Sequence, residues 1–455
     1  MPGPFRYIRH SMRSAREVAY SVGLAAIVLL PQFYQATNSM TWGLPTVVSG
    51  DEPHYLVLLN SFIMDGDFDL RNNYLSVHEG SNQAGVRFAG SAVDHHSSYW
   101  IGGQRWVWRD LFNQNAWMWP RDSRGHLIPQ VRRGVDPALA QKPEAPAHPV
   151  GIAILLAPIV FPFRGTEWVE HIAIFCSALA TLLAAFFYRR ILMHFSQNES
   201  AVWVTIAAVF LASPLLFYSR SFFNESFITL FITAAFALVL TPAHPLWAGV
   251  CLGFATLMKP QNAILAIPLS LLFLQKRDFK SVLFLALAPA VAILMTLWWN
   301  DKLYGSPWLG PYPFYRGDLW TGTWGLSASS DRGFVWFAPA LAFSAFGWPG
   351  LLQRFRLEAL IFLLGFVLLF GIAAWSAYWD GGSGYGPRLI TSAFPLLGIG
   401  LVHAFERRPF AWAVPRWALY VVILAGALAN FFAVMHYATS WGTKPVANLQ
   451  RYLHI

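Results

Sequence analysis

Charge is what this sequence has least of. Asp, Glu, Lys and Arg together make up 12 % of its 455 residues, where a soluble domain carries roughly a quarter. That shortfall excludes an ordinary water-soluble enzyme. Cysteine is almost missing as well. Cys176 and Cys251 both lie inside apolar runs, which excludes a disulfide framework and the paired spacing of a zinc site. No phosphate-cradling Gly-x-x-x-x-Gly-Lys-Ser/Thr segment occurs, so an ATP-driven pump is disfavoured. Neither is there an inverted repeat of the kind that builds secondary carriers.

The formal charge of +9 does not indicate a nucleic-acid partner. Many basic residues stand singly or in pairs in short connections between apolar runs, where they set topology. No block of Lys and Arg is interleaved with aromatics on a polar domain, as a nucleic-acid surface needs.

What is abundant is apolar and aromatic: 56 % hydrophobic residues, with 37 Phe and 21 Trp. They fall in runs long enough to cross a hydrocarbon layer of about 30 Å. The expected fold is therefore an all-α polytopic membrane protein. Arg6, Arg9, Arg13 and Arg16 precede the apolar stretch 18–35, read as a retained signal-anchor that keeps residues 1–17 in the cytoplasm. Residues 36–167 then form a long extracytoplasmic loop with interfacial helices, one of them near residues 55–64. The apolar piece 152–163 is short for a span and is read as re-entrant or interfacial.

Further spans are expected within 168–299, among them 201–218, 222–240, 246–258 and 263–275, and within 334–437, among them 334–352 and 389–405, separated by an outer loop at 300–333 and followed by an outer tail at 438–455. The total is about eleven. This parity places Arg189-Arg190, Lys276-Arg277-Lys280, Arg354-Arg356 and Arg407-Arg408 on the cytoplasmic side. If residues 152–163 crossed the membrane, that agreement would be lost.

The same parity sends the chemistry outward. Asp51 and Glu52 stand together just after the first span, in a chain with only 23 acidic residues. Charge at the lip of a bilayer is costly and marks function. Two neighbouring carboxylates can act as a general base with its orienting partner, or share a divalent metal. Lys259, Arg388, Arg220 and Arg332 all fall at outer ends of spans, where they can neutralise a phosphate. His54, His148, Glu225 and Tyr385 are candidate substrate contacts.

Plainer readings stand beside these. Asp51-Glu52-Pro53 also fits an ordinary helix start, and Arg220 and Lys259 fit snorkelling side chains. Asp65, Asp67 and Asp69 around Gly66 fit a solvated turn and lack the calcium-loop pattern. His95 and His96 fit exposed loop histidines.

Four stretches carry a resemblance. Gly50-Asp51-Glu52-Pro53, His148-Pro149-Val150-Gly151, the segment from Gly253 to Pro260, and Tyr385-Gly386-Pro387-Arg388 are similar to motifs of the GT-C superfamily of glycosyltransferases. Protein O-mannosyltransferases and lipid A aminoarabinose transferases are among that superfamily's members. The chain departs from the pattern at Val150, where a second proline is usual, and has no sizeable soluble domain after the expected last span.

The resemblance implies transfer of a sugar from a polyprenyl-phosphate donor to a glycan, lipid or protein acceptor, usually with inversion. The resemblance places transfer on the outer face, and the compact N-terminus with no large cytoplasmic domains makes the expected setting a bacterial inner membrane with a periplasmic site. By the same resemblance Asp51 is the base, Glu52 its partner, and Lys259 and Arg388 contacts to the donor phosphate; Arg220, Glu225 and His148 follow with less support. No cofactor is implied, though a divalent metal is compatible with the acids. Two other classes remain open at this point: a flippase of polyprenyl-linked glycans, and a non-catalytic subunit of an envelope assembly.

Overall fold

A computed structural model describes residues 4–42, 51–78, 97–101, 104–110, 115–118, 130–133, 144–240, 244–308, 310, 314–382, 384–406 and 416–435. Gly50, the histidines at 95 and 96, the basic pair 407–408 and the expected tail at 438–455 lie outside the described residues.

The chain opens with α1 (Pro4–Trp42), then α2 (Glu52–Met64) and α3 (Arg71–His78). Strands β1 (Ser97–Ile101), β2 (Gln104–Asp110), β3 (Asn115–Met118), β4 (Gln130–Arg133) and β5 (Ala145–Pro146) follow. Next come α4 (Gly151–Val160), α5 (Trp168–Phe195), α6 (Glu199–Ile206), α7 (Pro214–Arg220), α8 (Glu225–Leu240) and α9 (Pro245–Met258). The remainder comprises α10 (Ala266–Leu274), α11 (Phe279–Tyr304), α12 (Leu319–Ala328), α13 (Phe334–Phe337), α14 (Trp348–Arg354), α15 (Arg356–Trp375), α16 (Arg388–Thr391), α17 (Phe394–Glu406) and α18 (Arg416–Met435).

Among the described residues, five helices are long and apolar enough to cross a membrane: parts of α1 and α18, and α5, α11 and α15. A sixth arises if α6 and α7, bent by 63° at a short break, count as one span. The expected eleven spans are not confirmed on this measure. Four of the expected stretches are helices or helix pairs of 10–17 residues, and 334–352 is divided among α13, a 3-10 turn at Pro339–Phe346 and α14.

The membrane character itself is plain. Leu283, Leu294 and Trp298 on α11, and Trp417, Val421, Leu424 and Leu428 on α18, expose more than half of their surface. Apolar stripes of that length are stable only against lipid.

The long loop departs from expectation in two ways. First, α2 is a helix where one was expected, but it does not lie on a surface. Every residue from Glu52 to Ser61 is buried, so it is packed into one end of the bundle, with α4 beside it. Second, the Trp-rich part is an antiparallel five-stranded sheet in the order β4-β3-β2-β1-β5, not a set of interfacial helices. The sequence Arg105-Trp106-Val107-Trp108-Arg109 has the two-residue period of a strand, and Gly102-Gly103, a hairpin signal, separates β1 from β2.

The sheet is tied to the bundle at its β5 edge. The Tyr304 hydroxyl at the end of α11 donates to the Pro146 carbonyl at 2.6 Å. Asp69 accepts from the Glu144 and Arg71 amides at 2.9 and 3.3 Å, and Arg71 pairs with Glu144 at 3.3 Å. Asp65 accepts from Asn72 and Asn73 at 3.0 and 3.1 Å. The acidic cluster is thus a clasp that fixes the course of the loop.

Two close helix contacts set the geometry of this end. Gly249 and Gly253, one turn apart on α9, leave no room for a side chain: an added Cβ would come within 2.7 Å of the Leu285 carbonyl and 3.0 Å of the Ala288 methyl on α11. This small-x-x-x-small spacing lets the two backbones touch. Gly151, at the start of α4, sits so close to the end of α9 that a Cβ would lie 2.5 Å from the Leu257 carbonyl carbon. The segments around His148 and Lys259 are therefore held in direct contact.

Candidate active site

Asp51 occupies the N-cap position of α2, yet its side chain makes no capping bond. The helix-start reading therefore does not account for it. Its Oδ2 lies 2.7 Å from Nη1 of Arg388 instead, and 3.9 Å from Nδ1 of His148. Asp51 keeps 18 % of its side-chain surface exposed and Arg388 11 %, so the pair is accessible without being solvated freely. Burial works against the charged form of Asp51. The Arg388 guanidinium, followed by His148 and His54, outweighs it and holds the carboxyl well below the usual carboxylate range.

Glu52 points the other way. It is buried, and its Oε1 accepts from the backbone amide of Phe222 at 2.7 Å. Phe222 lies between α7 and α8, beyond the end of one helix and before the start of the next, so its N–H is available outside a helical ladder.

Arg388 opens the short helix α16 immediately after a glycine-rich turn. Its guanidinium lies 5.3 Å from the centre of the Phe223 ring and its Nε is 3.7 Å from Glu225 Oε1. The turn is shaped for this placement. A Cβ on Gly384 would come 2.5 Å from Arg388 Cδ, and Gly386 adopts φ +60°, a left-handed conformation that favours glycine. Tyr385 is packed between Phe217, stacked at 4.5 Å, and Phe337, edge-on at 5.2 Å. Its carbonyl accepts from the Tyr218 hydroxyl at 2.8 Å.

Lys259 follows the last residue of α9, where Pro260 ends the helix. Its Nζ donates to Glu225 Oε1 at 2.8 Å. One carboxylate oxygen, at the first turn of α8, thus faces both cations.

The histidines form the opposite wall. His54 and His148 stack at 5.5 Å with 15° between ring planes, and Tyr55 leans against His148 at 4.9 Å. His54 Nδ1 is 2.8 Å from the Tyr74 hydroxyl on α3. Asn224 donates to the Tyr55 hydroxyl at 2.9 Å and reaches the Met258 carbonyl at 3.5 Å. It joins α2 to the end of α9.

The remaining candidate residues take other places. Arg332 is buried and gives its guanidinium to backbone carbonyls of the glycine-rich turn: Gly382, Gly384 and, at 3.3 Å, Gly386. It buttresses the turn that presents Arg388. Arg220 is buried at the end of α7, two residues before the amide that holds Glu52. Sequence reasoning did not single out Tyr55, Tyr74, Phe222, Phe223 or Asn224. Only Asn224 carried a signal, as a polar residue next to Glu225 in an otherwise apolar turn.

The arrangement brings one accessible carboxylate, two cations and a buried acid together from chain segments far apart in sequence. The acids face cations or a backbone amide. Among the described residues, no three His, Cys, Asp or Glu side chains are grouped to hold a metal.

No family model matches the chain, and no curated protein does. Among solved structures it is similar to the oligosaccharyltransferase of Archaeoglobus fulgidus in the apo form, with 13 % identity and a TM-score of 0.47. It is likewise similar to that archaeal oligosaccharyltransferase in complex with an inhibitory peptide and a dolichol-phosphate, with 13 % identity and a TM-score of 0.46. The alignments cover 94 % and 95 % of this chain but 56 % and 57 % of those chains. The chain spans little more than half the length of the proteins it resembles in structure.

Proposed function

We propose that this protein is an integral-membrane glycosyltransferase of the GT-C type. It moves a sugar from a polyprenyl-phosphate donor to a hydroxyl or amine acceptor at the outer face of the membrane, with inversion. The observation that carries this reading is the Asp51–Arg388 contact at 2.7 Å, with Lys259 and Glu225 joined to the same cluster. A carboxylate beside one cation, itself linked through Glu225 to a second, suits displacement at a sugar–phosphate bond.

In the reaction, Asp51 takes the proton from the acceptor as its oxygen or nitrogen attacks the anomeric carbon. The bond from that carbon to the phosphate oxygen breaks, and its electron pair leaves with the polyprenyl phosphate. Arg388 and Lys259 neutralise the charge that develops there. Glu52, anchored on the Phe222 amide, fixes the start of α2 so that Asp51 keeps its position. The rings of Phe222, Phe223 and Tyr55 line the cluster with apolar surface, where such electrostatic contacts are strongest. The family motifs in the sequence support the same assignment.

The test uses membranes carrying wild type or Asp51→Asn, supplied with a labelled polyprenyl-phosphate sugar. Transfer is expected from the wild type and lost from the variant at equal protein level. Undiminished transfer by the variant would remove Asp51 from the mechanism. Transbilayer movement of the lipid by purified protein without any transfer would identify a flippase instead.

A further inference from the structure

A base held in a close ion pair is a weak base, and this is the state of Asp51. The contact with Arg388 is short and charge-assisted, the type of hydrogen bond that most favours the ionised carboxylate. Yet the group bound to Asp51 is also a cation well placed for a phosphate, because it reaches both Asp51 and the Glu225–Lys259 pair.

Arg388 has a second set of supports that does not involve Asp51. Its Nε faces Glu225 and its guanidinium plane lies against Phe223, while Gly384 leaves space for its stem. Losing Asp51 as a partner would therefore not release Arg388 from the site.

The charge balance of the reaction gives this arrangement a purpose. A polyprenyl-phosphate sugar is a phosphodiester with one negative charge. When the acceptor proton reaches Asp51, a negative charge disappears there. At the same moment the phosphate becomes a monoester and gains one. The charge moves from one side of Arg388 to the other.

We propose that the Asp51–Arg388 ion pair is the closed form of the donor-phosphate subsite, and that an arriving lipid-linked phosphate takes Arg388 from Asp51. The inference rests on the glycosyltransferase reading and adds to it an order of events: Asp51 becomes an effective base only once the donor is seated. Glu225 is then a positioning residue, which keeps Arg388 and Lys259 together while Arg388 changes partner. Other titratable groups facing Asp51 include His148, His54 and Tyr218. They remain beside it after the exchange, so the change in Asp51 basicity comes from Arg388.

The experiment is equilibrium binding of undecaprenyl phosphate, which carries no sugar, to purified wild type, Asp51→Asn, Arg388→Gln and the double variant. Freeing Arg388 is expected to tighten binding to Asp51→Asn about tenfold, although that variant transfers no sugar. The gain is expected to vanish when Arg388 is already Gln. Binding unchanged or weakened by Asp51→Asn overturns the exchange. So does a gain that persists without Arg388, because it reports only the removal of a repelling charge.

Failure of the wild type to bind undecaprenyl phosphate at all overturns the glycosyltransferase reading itself. Inorganic phosphate serves as the second probe. A gain for it with none for the lipid assigns the subsite to a soluble phosphate and overturns the lipid-linked assignment. Asp51→Ser and Arg388→Met replace the amide variants if those fail to purify.

Discussion

Glu225 presents a single oxygen, Oε1, to both Lys259 at 2.8 Å and Arg388 at 3.7 Å. The cations come from the end of α9 and the start of α16, and neither helix fixes the other's side chain. The carboxylate on α8 is what makes them one site. Its removal should disturb donor binding more than protein stability. Glu225→Gln keeps the shape and can still accept from one cation. It is expected to raise KM for the donor about tenfold with a smaller change in kcat, measured with labelled polyprenyl-phosphate sugar.

The ion pair at Asp51 predicts a pH dependence of stability. Its carboxyl is held below the unfolded value of about 3.9. A depressed carboxylate stabilises the fold above the unfolded pKa, and that contribution is lost as pH falls through the folded pKa. The Tm difference between wild type and Asp51→Asn in detergent should therefore be flat from about pH 8 down to about pH 5. It should shrink only below about pH 4.

Gly384→Ala tests whether the turn is shaped for Arg388. The new methyl would stand 2.5 Å from Arg388 Cδ and 3.1 Å from the Tyr218 hydroxyl, so the side chain must leave its place. A displacement of the order of an ångström at a catalytic cation lowers transfer by about 10²-fold. Transfer at wild-type rate by a normally folded variant would show that Arg388 tolerates another position.

Gly151→Ala asks the same of the α4–α9 contact. A Cβ 2.5 Å from the Leu257 backbone cannot be relieved by a side-chain rotation, and α4 must move off α9. The expected cost is about 1–3 kcal/mol, read as a lower Tm. A loss of transfer should accompany it, because His148 stands just before the glycine.

Arg332→Gln should behave as a structural change. Removing the guanidinium takes this donor from the carbonyls of Gly382, Gly384 and Gly386, at a cost of about 1–3 kcal/mol. Stability should fall, while the donor KM of whatever protein folds should move less than it does for Glu225→Gln. The reverse order would return Arg332 to the phosphate contacts expected from its place at the end of a span.

Much of this site could be read from sequence for one physical reason. In a chain so poor in charge, Asp51, Glu52, Lys259 and Arg388 stand out wherever lipid makes charge costly. Their partners carried no such mark. The Phe222 amide that holds Glu52 has no side-chain signature, and Tyr55 and Tyr74 are ordinary aromatics in an aromatic-rich sequence. The fold divides in the same way. Long apolar helices such as α5, α11 and α15 were legible from hydropathy, whereas 201–218 and 334–352 read as single stretches although the backbone breaks inside them. In the outer loop, tryptophan content favoured interfacial helices, and the two-residue alternation around Trp106 and Trp108 was the better guide.

The break at the top of α7 has a meaning that hydropathy alone would miss. An uninterrupted helix through Arg220-Ser221-Phe222 would satisfy every amide along its own axis and suit the bilayer better. It would also withdraw the one N–H that Glu52 rests on. Substitutions that make this stretch a better membrane helix should make the protein a worse enzyme, and natural selection here is expected to work against the more comfortable span.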